Sequence, residues 1–428
     1  MYRLASGLMP STRPGRLRLV VLMVALAATV FKLLIAAHTF GTDDVHYWID
    51  FTQVVRDAGP IGIYGKPTLS QYNHPPLTGW LLVVLGWLVD NGVAGLPFLI
   101  RIPAILSDIV TALLLFELVR YWRSDREAAV AGVLVVASPV SIIVSGFHGN
   151  TDPVFIMLSL LSVYLTVVRK QTFLAGLAFA AALSVKLVPI ILVPLLLVLL
   201  LRLGWRRLAT FVGGAATLFV PLWGPVLLFA WPEFKANVLS YPGIWLREWG
   251  LPQFLRWAER PPGWVDLVVG PGRFAVLVLS AVLPALVVWR RSALVGPAVG
   301  LSLALFLLLS PAFGMQYLVW PLAAAYLVNT WAATVYNVAA AAFMVSVYDN
   351  WNSAYPWHWY EGVAVPFRSQ DFVLMVLAWA ALAGVVVVAL VKVLKVPDGD
   401  AEPRGERGRA TPAEPPPAAR PRAHSAVP

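Results

Sequence analysis

Two polar knots interrupt an otherwise apolar chain, and they hold the side chains best suited to chemistry. The first, Gly41-Thr42-Asp43-Asp44-Val45-His46-Tyr47-Trp48, follows an apolar stretch from about Leu17 to His38. The second is Phe147-His148-Gly149-Asn150-Thr151-Asp152. A partly desolvated carboxylate at a membrane interface can take a proton from a hydroxyl as that hydroxyl attacks, and Asp43 and Asp44 are the candidates. Both residues also suit the start of a helix, and one can cap while the other reacts. His148, Asn150 and Asp152 form a compact set of donors and acceptors, although Asp152 just before Pro153 also reads as a helix start. Lys186 stands alone in Leu183-Ser184-Val185-Lys186-Leu187. Its ammonium suits a lipid phosphate as a point charge, and a snorkelling lysine is the plainer alternative. Arg247 and Arg256, set among tryptophans, suit a phosphate or a sugar, or anchor an interface.

The elements that must position these groups are membrane helices. Of 428 residues, 59% are hydrophobic and 13% charged, about half the charge of a typical soluble protein. Apolar runs near the length of a helical span recur along the chain, continuous rather than alternating, which indicates a polytopic helical protein and not a barrel. The first run has no clear small-x-small cleavage site and holds Lys32, so it reads as a retained span. With no cysteine, disulfides, thiol catalysis and cysteine-ligated metals are excluded. Phosphate-loop, dinucleotide, nucleophile-elbow and His-Glu-x-x-His motifs are missing, and no soluble stretch is long enough to bind a nucleotide sugar. The net charge of +10 lies largely in short loops and tails, where it sets orientation rather than nucleic-acid binding.

About twelve spans are expected, near 18–38, 99–120, 128–146, 153–168, 172–185, 188–201, 208–230, 272–289, 294–310, 316–330, 332–347 and 372–395. The loops at Arg120–Arg126, Arg169–Lys170, Arg202–Arg207 and Arg290–Arg291 together carry ten Lys/Arg. Placing them in the cytoplasm puts both termini there and both polar knots outside. The apolar segment Pro76–Val89 is too short for a comfortable span and reads as a helix on the outer surface, as does the amphipathic stretch 44–58. Residues 1–395 then form one multi-span domain with a first outer loop at 40–98 and further outer loops at 231–271 and 348–371. The Pro-, Ala- and Arg-rich residues 396–428 read as a disordered cytoplasmic tail. Arg101 and Asp108 fall on nearly one helix face with Glu117 deeper, a pattern of helix–helix pairing.

An Asp just after the first span, surface helices in a long first outer loop and a second polar knot resemble the GT-C superfamily of integral-membrane glycosyltransferases. The closer likeness is to the bacterial branch that uses polyprenyl-phosphate sugars, which includes mannosyltransferase-like members. The stretches that carry it are Gly41-Thr42-Asp43-Asp44-Val45, Tyr72-Asn73-His74-Pro75-Pro76-Leu77, Arg101-Ile102-Pro103-Ala104-Ile105-Leu106-Ser107-Asp108, Phe147-His148-Gly149-Asn150-Thr151-Asp152-Pro153, Leu183-Ser184-Val185-Lys186 and Phe313-Gly314-Met315-Gln316-Tyr317-Leu318-Val319-Trp320-Pro321. The resemblance implies an inverting transfer of a sugar, mannose favoured, from a polyprenyl phosphate to a lipid or glycan acceptor at the outer face of a bacterial plasma membrane. It implies Asp44 as base with Asp43 in reserve. Lys186, with Arg247 or Arg256, would sit at the leaving phosphate, and His148, Asn150, Asp152 and Gln316 would position hydroxyls. Neither a metal nor another cofactor is expected with a monophosphate donor. A transporter or lipid-linked-sugar flippase is the competing reading; it would place ionisable residues near mid-membrane, often in repeated halves.

Overall fold

The computed structural model describes residues 12–241, 243, 248–352 and 360–395. The described chain is almost wholly helical. In order it runs α1 (Arg13–His38), a two-residue strand β1 (Gly41–Thr42), α2 (Asp43–Gly62), α3 (Pro76–Asp90), α4 (Ile102–Trp122), α5 (Asp125–Val136) and α6 (Pro139–Ile143). There follow a π-helical turn (Val144–His148), α7 (Asp152–Val167), α8 (Thr172–Val185), α9 (Val193–Leu203), α10 (Trp205–Phe229), α11 (Gly272–Arg290), α12 (Val295–Leu309), α13 (Leu322–Val328), α14 (Thr330–Asn352), strand β2 (Glu361–Gly362) and α15 (Ser369–Lys395). The molecule is a multi-pass, all-α membrane protein.

Every one of the twelve expected spans falls on helix, but not every one is a full-length rod. Seven described helices are long and apolar enough to cross a membrane, or eight if α5 and the helix after it count as one bent span. The others are apolar helices of 10–17 residues. Prolines explain the difference. The span expected at 128–146 breaks by 41° at Ala137-Ser138-Pro139, because Pro139 removes a backbone donor and disfavours helix in the residue before it. Pro194 and Pro321 likewise stand where the segments 188–201 and 316–330 pass from a 3₁₀ turn to α-helix.

Two apolar cores hold the fold. The larger runs through the bundle from Val21 on α1 to Ala389 on α15. The smaller gathers α2, α3 and the C-terminal end of α10 around Trp48, Phe51, Tyr64, Tyr72, Leu82, Trp223 and Phe234. Its rings meet edge to face, Phe51 to Tyr72 at 5.1 Å and Tyr64 to Phe234 at 5.3 Å between centroids. Each such pair contributes about 0.5–1.5 kcal/mol beyond its burial. The two helices read from sequence as surface elements thus exist as α2 and α3, packed on one another.

Close backbone packing fixes the remaining element that matters. Within a bilayer, helices associate through tight contact rather than hydrophobic burial. A Cβ on Gly176 of α8 would come within 2.0 Å of the Phe211 carbonyl, and one on Gly214 of α10 within 2.0 Å of the Phe173 carbonyl. Only glycine permits this approach. It sets the height of α8, whose C-terminal end presents Lys186. There Thr78 Oγ1 donates to Val185 O at 3.1 Å and Trp223 Nε1 donates to Ser184 Oγ at 2.8 Å.

Candidate active site

The two polar knots meet. β1 pairs in parallel with β2, Gly41 opposite Glu361 and Thr42 opposite Gly362. Thr42 Oγ1 donates to His148 O at 2.9 Å, and Trp48 Nε1 donates to Gly149 O at 2.8 Å. Gly149 has φ of 83°, and a Cβ there would stand 2.6 Å from Val45 Cγ2, so this close approach requires glycine. Arg101, fully buried at the start of α4, donates to the carbonyls of Ala36 and Thr39 at 3.0 Å each and also to Phe40 O. It thereby closes the C-terminal end of α1 under the first knot.

Asp44 then lies against His148 and Asn150. His148 Nε2 is 3.0 Å from Asp44 Oδ2, and Asn150 Nδ2 donates to the same oxygen at 3.2 Å. The other carboxylate oxygen makes no hydrogen bond to a described residue. The second ring nitrogen of His148 bonds the Tyr348 hydroxyl on α14. Burial pulls the Asp44 carboxyl upward. The charge of His148, hydrogen bonds from His148 and Asn150, and the charge of Lys186 outweigh it and hold the group below the ordinary carboxylate value. Neither Asp43 nor Asp44 caps α2 by a side-chain bond. Asp43 turns away and accepts from Ala364 N at 3.4 Å, beside a His46–Glu361 contact of 2.7 Å.

Asp152, fully buried, is not the cap of α7; Asn150 Oδ1 accepts its backbone N–H at 2.9 Å instead. The Asp152 carboxylate bonds Lys186 Nζ through one oxygen and takes Trp320 Nε1 at 2.7 Å on the other. It therefore anchors Lys186 and does not join Asp44 in one ligand set. The ammonium also lies 5.2 and 5.3 Å from the ring centres of Tyr317 and Trp320, which stack on each other at 3.8 Å.

Asp44, Asn150, Lys186 and Gln316 line one cavity of about 690 Å³. His74, Asn73, Tyr47, Tyr241 and Arg273 add polar groups to its wall, and Val188, Ile190, Phe274, Leu277 and Phe306 add apolar ones. Arg256 is not part of this wall; it bonds Gln253 within its own turn of helix. Arg247 lies outside the described residues. Tyr348 and Trp320 carry no local sequence signal for their roles, since each acts across the bundle, 200 and 168 residues from its partner. Arg273 reads in sequence only as a charge at the start of a span.

His74 is the notable addition. Its ring packs on Trp48 with centres 4.6 Å apart, and its carbonyl accepts from Tyr64 Oη at 2.8 Å. Burial and then the charge of Lys186 push its imidazole down to about 3, with Asp44 offsetting only part. A histidine whose folded pKa is depressed contributes stability above its unfolded value of 6.5 and loses it as pH falls toward 3. The thermal midpoint in detergent should therefore drop between pH 7.5 and 5. The drop should be smaller in His74→Gln, and an equal drop in that variant would place the acid sensitivity elsewhere.

The fold and cavity define a class: a multi-pass helical membrane protein with a carboxylate and an ammonium on the walls of one cavity and an imidazole bonded to that carboxylate. Residues 73–229 match the family described as dolichyl-phosphate-mannose-protein mannosyltransferase. The resemblance to integral-membrane glycosyltransferases read from the sequence thus holds over that stretch, which includes His74, His148, Asn150, Asp152 and Lys186. Among solved structures, ArnT from Cupriavidus metallidurans bound to undecaprenyl phosphate matches with a TM-score of 0.48 and 15% identity, covering 87% of this chain and 76% of that one. No curated protein matches.

Proposed function

We propose that this protein is an inverting glycosyltransferase that moves a sugar, mannose favoured, from a polyprenyl phosphate to a lipid or glycan acceptor at the outer face of a bacterial plasma membrane. The observation that carries the reading is the free oxygen of Asp44 in the same cavity as the Lys186 ammonium. The family match of residues 73–229 supports the same donor class. The apolar wall from Val188 to Phe306 receives the first prenyl units, which brings the phosphate to Lys186 and Arg273.

In the reaction, the acceptor oxygen forms a bond to the anomeric carbon as the bond from that carbon to the phosphate oxygen breaks. The hydroxyl proton passes to the free Asp44 oxygen, and the prenyl phosphate leaves with an added negative charge. The donors that keep Asp44 ionised also weaken it as a base, so proton transfer follows bond breaking to the phosphate. Lys186 stabilises that developing charge, which is where fixed electrostatics act most strongly. His148 and Asn150 hold the carboxylate, and His74, Asn73 and Gln316 supply hydrogen bonds to sugar hydroxyls.

The test is transfer by purified protein in lipid, from radiolabelled polyprenyl-phosphate mannose to an envelope-lipid extract. Labelled product is expected. Failure with mannose but success with another lipid-linked sugar changes the sugar; failure across a panel favours the transporter reading. The side of the membrane is tested separately, because the chain has no cysteine of its own. A cysteine at exposed Asn91 should react with an impermeant thiol reagent in intact cells, and one at exposed Arg126 should react only after permeabilisation. The reverse pattern would put the cavity on the cytoplasmic side.

A further inference from the structure

Below the site lies a second polar cluster that touches none of the cavity. Lys32 on α1 and Asp108 on α4 are both buried, each six residues from the outer end of its helix, roughly 9 Å down at 1.5 Å per residue. Lys32 Nζ is 2.6 Å from Asp108 Oδ2. The same oxygen accepts from Ser145 Oγ at 2.6 Å and from Ser141 Oγ at 3.0 Å, and Lys32 also donates to Ser141 Oγ at 2.8 Å. Three side chains, one from α1 and two from the segment Pro139–His148, converge on one carboxylate oxygen of α4.

A stability role does not account for this arrangement. Charges inside a membrane are expensive, and a buried ion pair can often be replaced by well-packed apolar residues of similar size without loss of stability. What the cluster does hold is the approach to His148. Ser141 lies in α6 and Ser145 in the π-helical turn that ends at His148. Such turns lack the regular α-helical ladder and recur at functional sites. Gly146 in the middle of the turn lies flat on α1, where a Cβ would stand 3.2 Å from Lys32 Cα. A rotation of this turn swings the His148 ring off Asp44.

We infer that Asp108, oriented by Lys32, is a positioning residue that sets the π-helical turn through Ser141 and Ser145 and so places the His148 imidazole against Asp44. This inference rests on the reading of Asp44 and His148 as the reacting site. A misplacement of about 1 Å at such a site reduces turnover by up to roughly a hundredfold.

The test compares Ser145→Ala with Ser145→Thr, which keeps the hydroxyl, and adds the apolar double variant Lys32→Met/Asp108→Leu. The readouts are the histidine ring resonances of protein labelled on histidine, with His148 assigned by its disappearance in His148→Asn, and transfer kinetics in lipid. In Ser145→Ala and in the double variant the His148 resonance should move, and kcat should fall roughly tenfold to a hundredfold at unchanged KM. Ser145→Thr should keep the wild-type signal and rate. An unmoved His148 resonance in Ser145→Ala, or a double variant with wild-type kcat, overturns the inference. Should the double variant not fold, the Ser145 pair decides alone. Asp44→Asn run alongside separates the two claims: if it keeps transfer, the site reading fails and this inference with it, whereas an inactive Asp44→Asn beside an unperturbed Ser145→Ala removes only the positioning role.

Discussion

Asp44→Asn is expected to lower kcat by about 10³-fold without loss of folded protein, the loss that follows removal of a general base. The amide keeps an oxygen for the donors His148 at 3.0 Å and Asn150 at 3.2 Å, so the join between the two polar knots survives. What disappears is the unshared carboxylate oxygen on the cavity wall. Asp43→Asn is the matched control. Its carboxylate faces Ala364 N at 3.4 Å and lines no part of the cavity, so kcat should stay within a few-fold of wild type. The pH profile adds a second check. Asp44 is held below the ordinary carboxylate value, mainly by His148 and Asn150 working against burial. A base is active when deprotonated, so wild-type turnover should show no fall attributable to Asp44 as pH drops from 8 to 5. Equal losses in Asp43→Asn and Asp44→Asn, or an Asp44→Asn enzyme at full rate, would remove Asp44 as the base.

Much of the site is legible in the chain because polar residues at the ends of apolar runs stand out against a membrane. Asp44, His148, Asn150 and Lys186 show themselves in this way; the structure places Asp44, Asn150 and Lys186 on one cavity wall and His148 against Asp44. Gln316 is carried by the resemblance alone and also lines the cavity. The resemblance prefers Asp44 to Asp43, but which way each carboxylate turns from the first turn of α2 is not legible in the chain. That is decided by the parallel pairing of β1 with β2, more than 300 residues away. Partners across the bundle are equally silent in sequence. Tyr348 and Trp320 become partners of His148 and Asp152 only through packing. The pairing read for the Arg101–Asp108 face is found in the fold, but with Lys32 and with backbone carbonyls as the partners. The bend at Pro139 and the π-helical turn that follows are where a simple count of spans fails, and they are also what delivers His148 to Asp44.

Lys186→Met is expected to reduce kcat by about 10²–10³-fold, comparable to removing one fixed donor at a developing oxyanion. The ammonium has three N–H donors. Asp152 takes one, and the stacked rings of Tyr317 and Trp320 lie 5.2 and 5.3 Å away, which leaves donors for a phosphate. Because the phosphate gains charge only as the sugar departs, kcat should fall more than KM rises. The single variant alone is ambiguous, since it strands the fully buried Asp152 carboxylate and removing one partner of a buried pair destabilises by about 3–5 kcal/mol. The double variant Lys186→Met/Asp152→Asn resolves this. Its neutral amide still accepts from Trp320 Nε1, 2.7 Å from Asp152 Oδ2 in the wild type, and leaves no charge uncompensated. Its thermal midpoint in detergent should return toward wild type while single-turnover transfer stays as low as in Lys186→Met. Recovery of transfer together with stability would make Lys186 a counter-ion for Asp152 and nothing more. Lys186→Arg should recover stability but only part of the rate, because a planar guanidinium bonded to Asp152 directs its remaining donors along a fixed fork rather than toward the point where the phosphate charge develops.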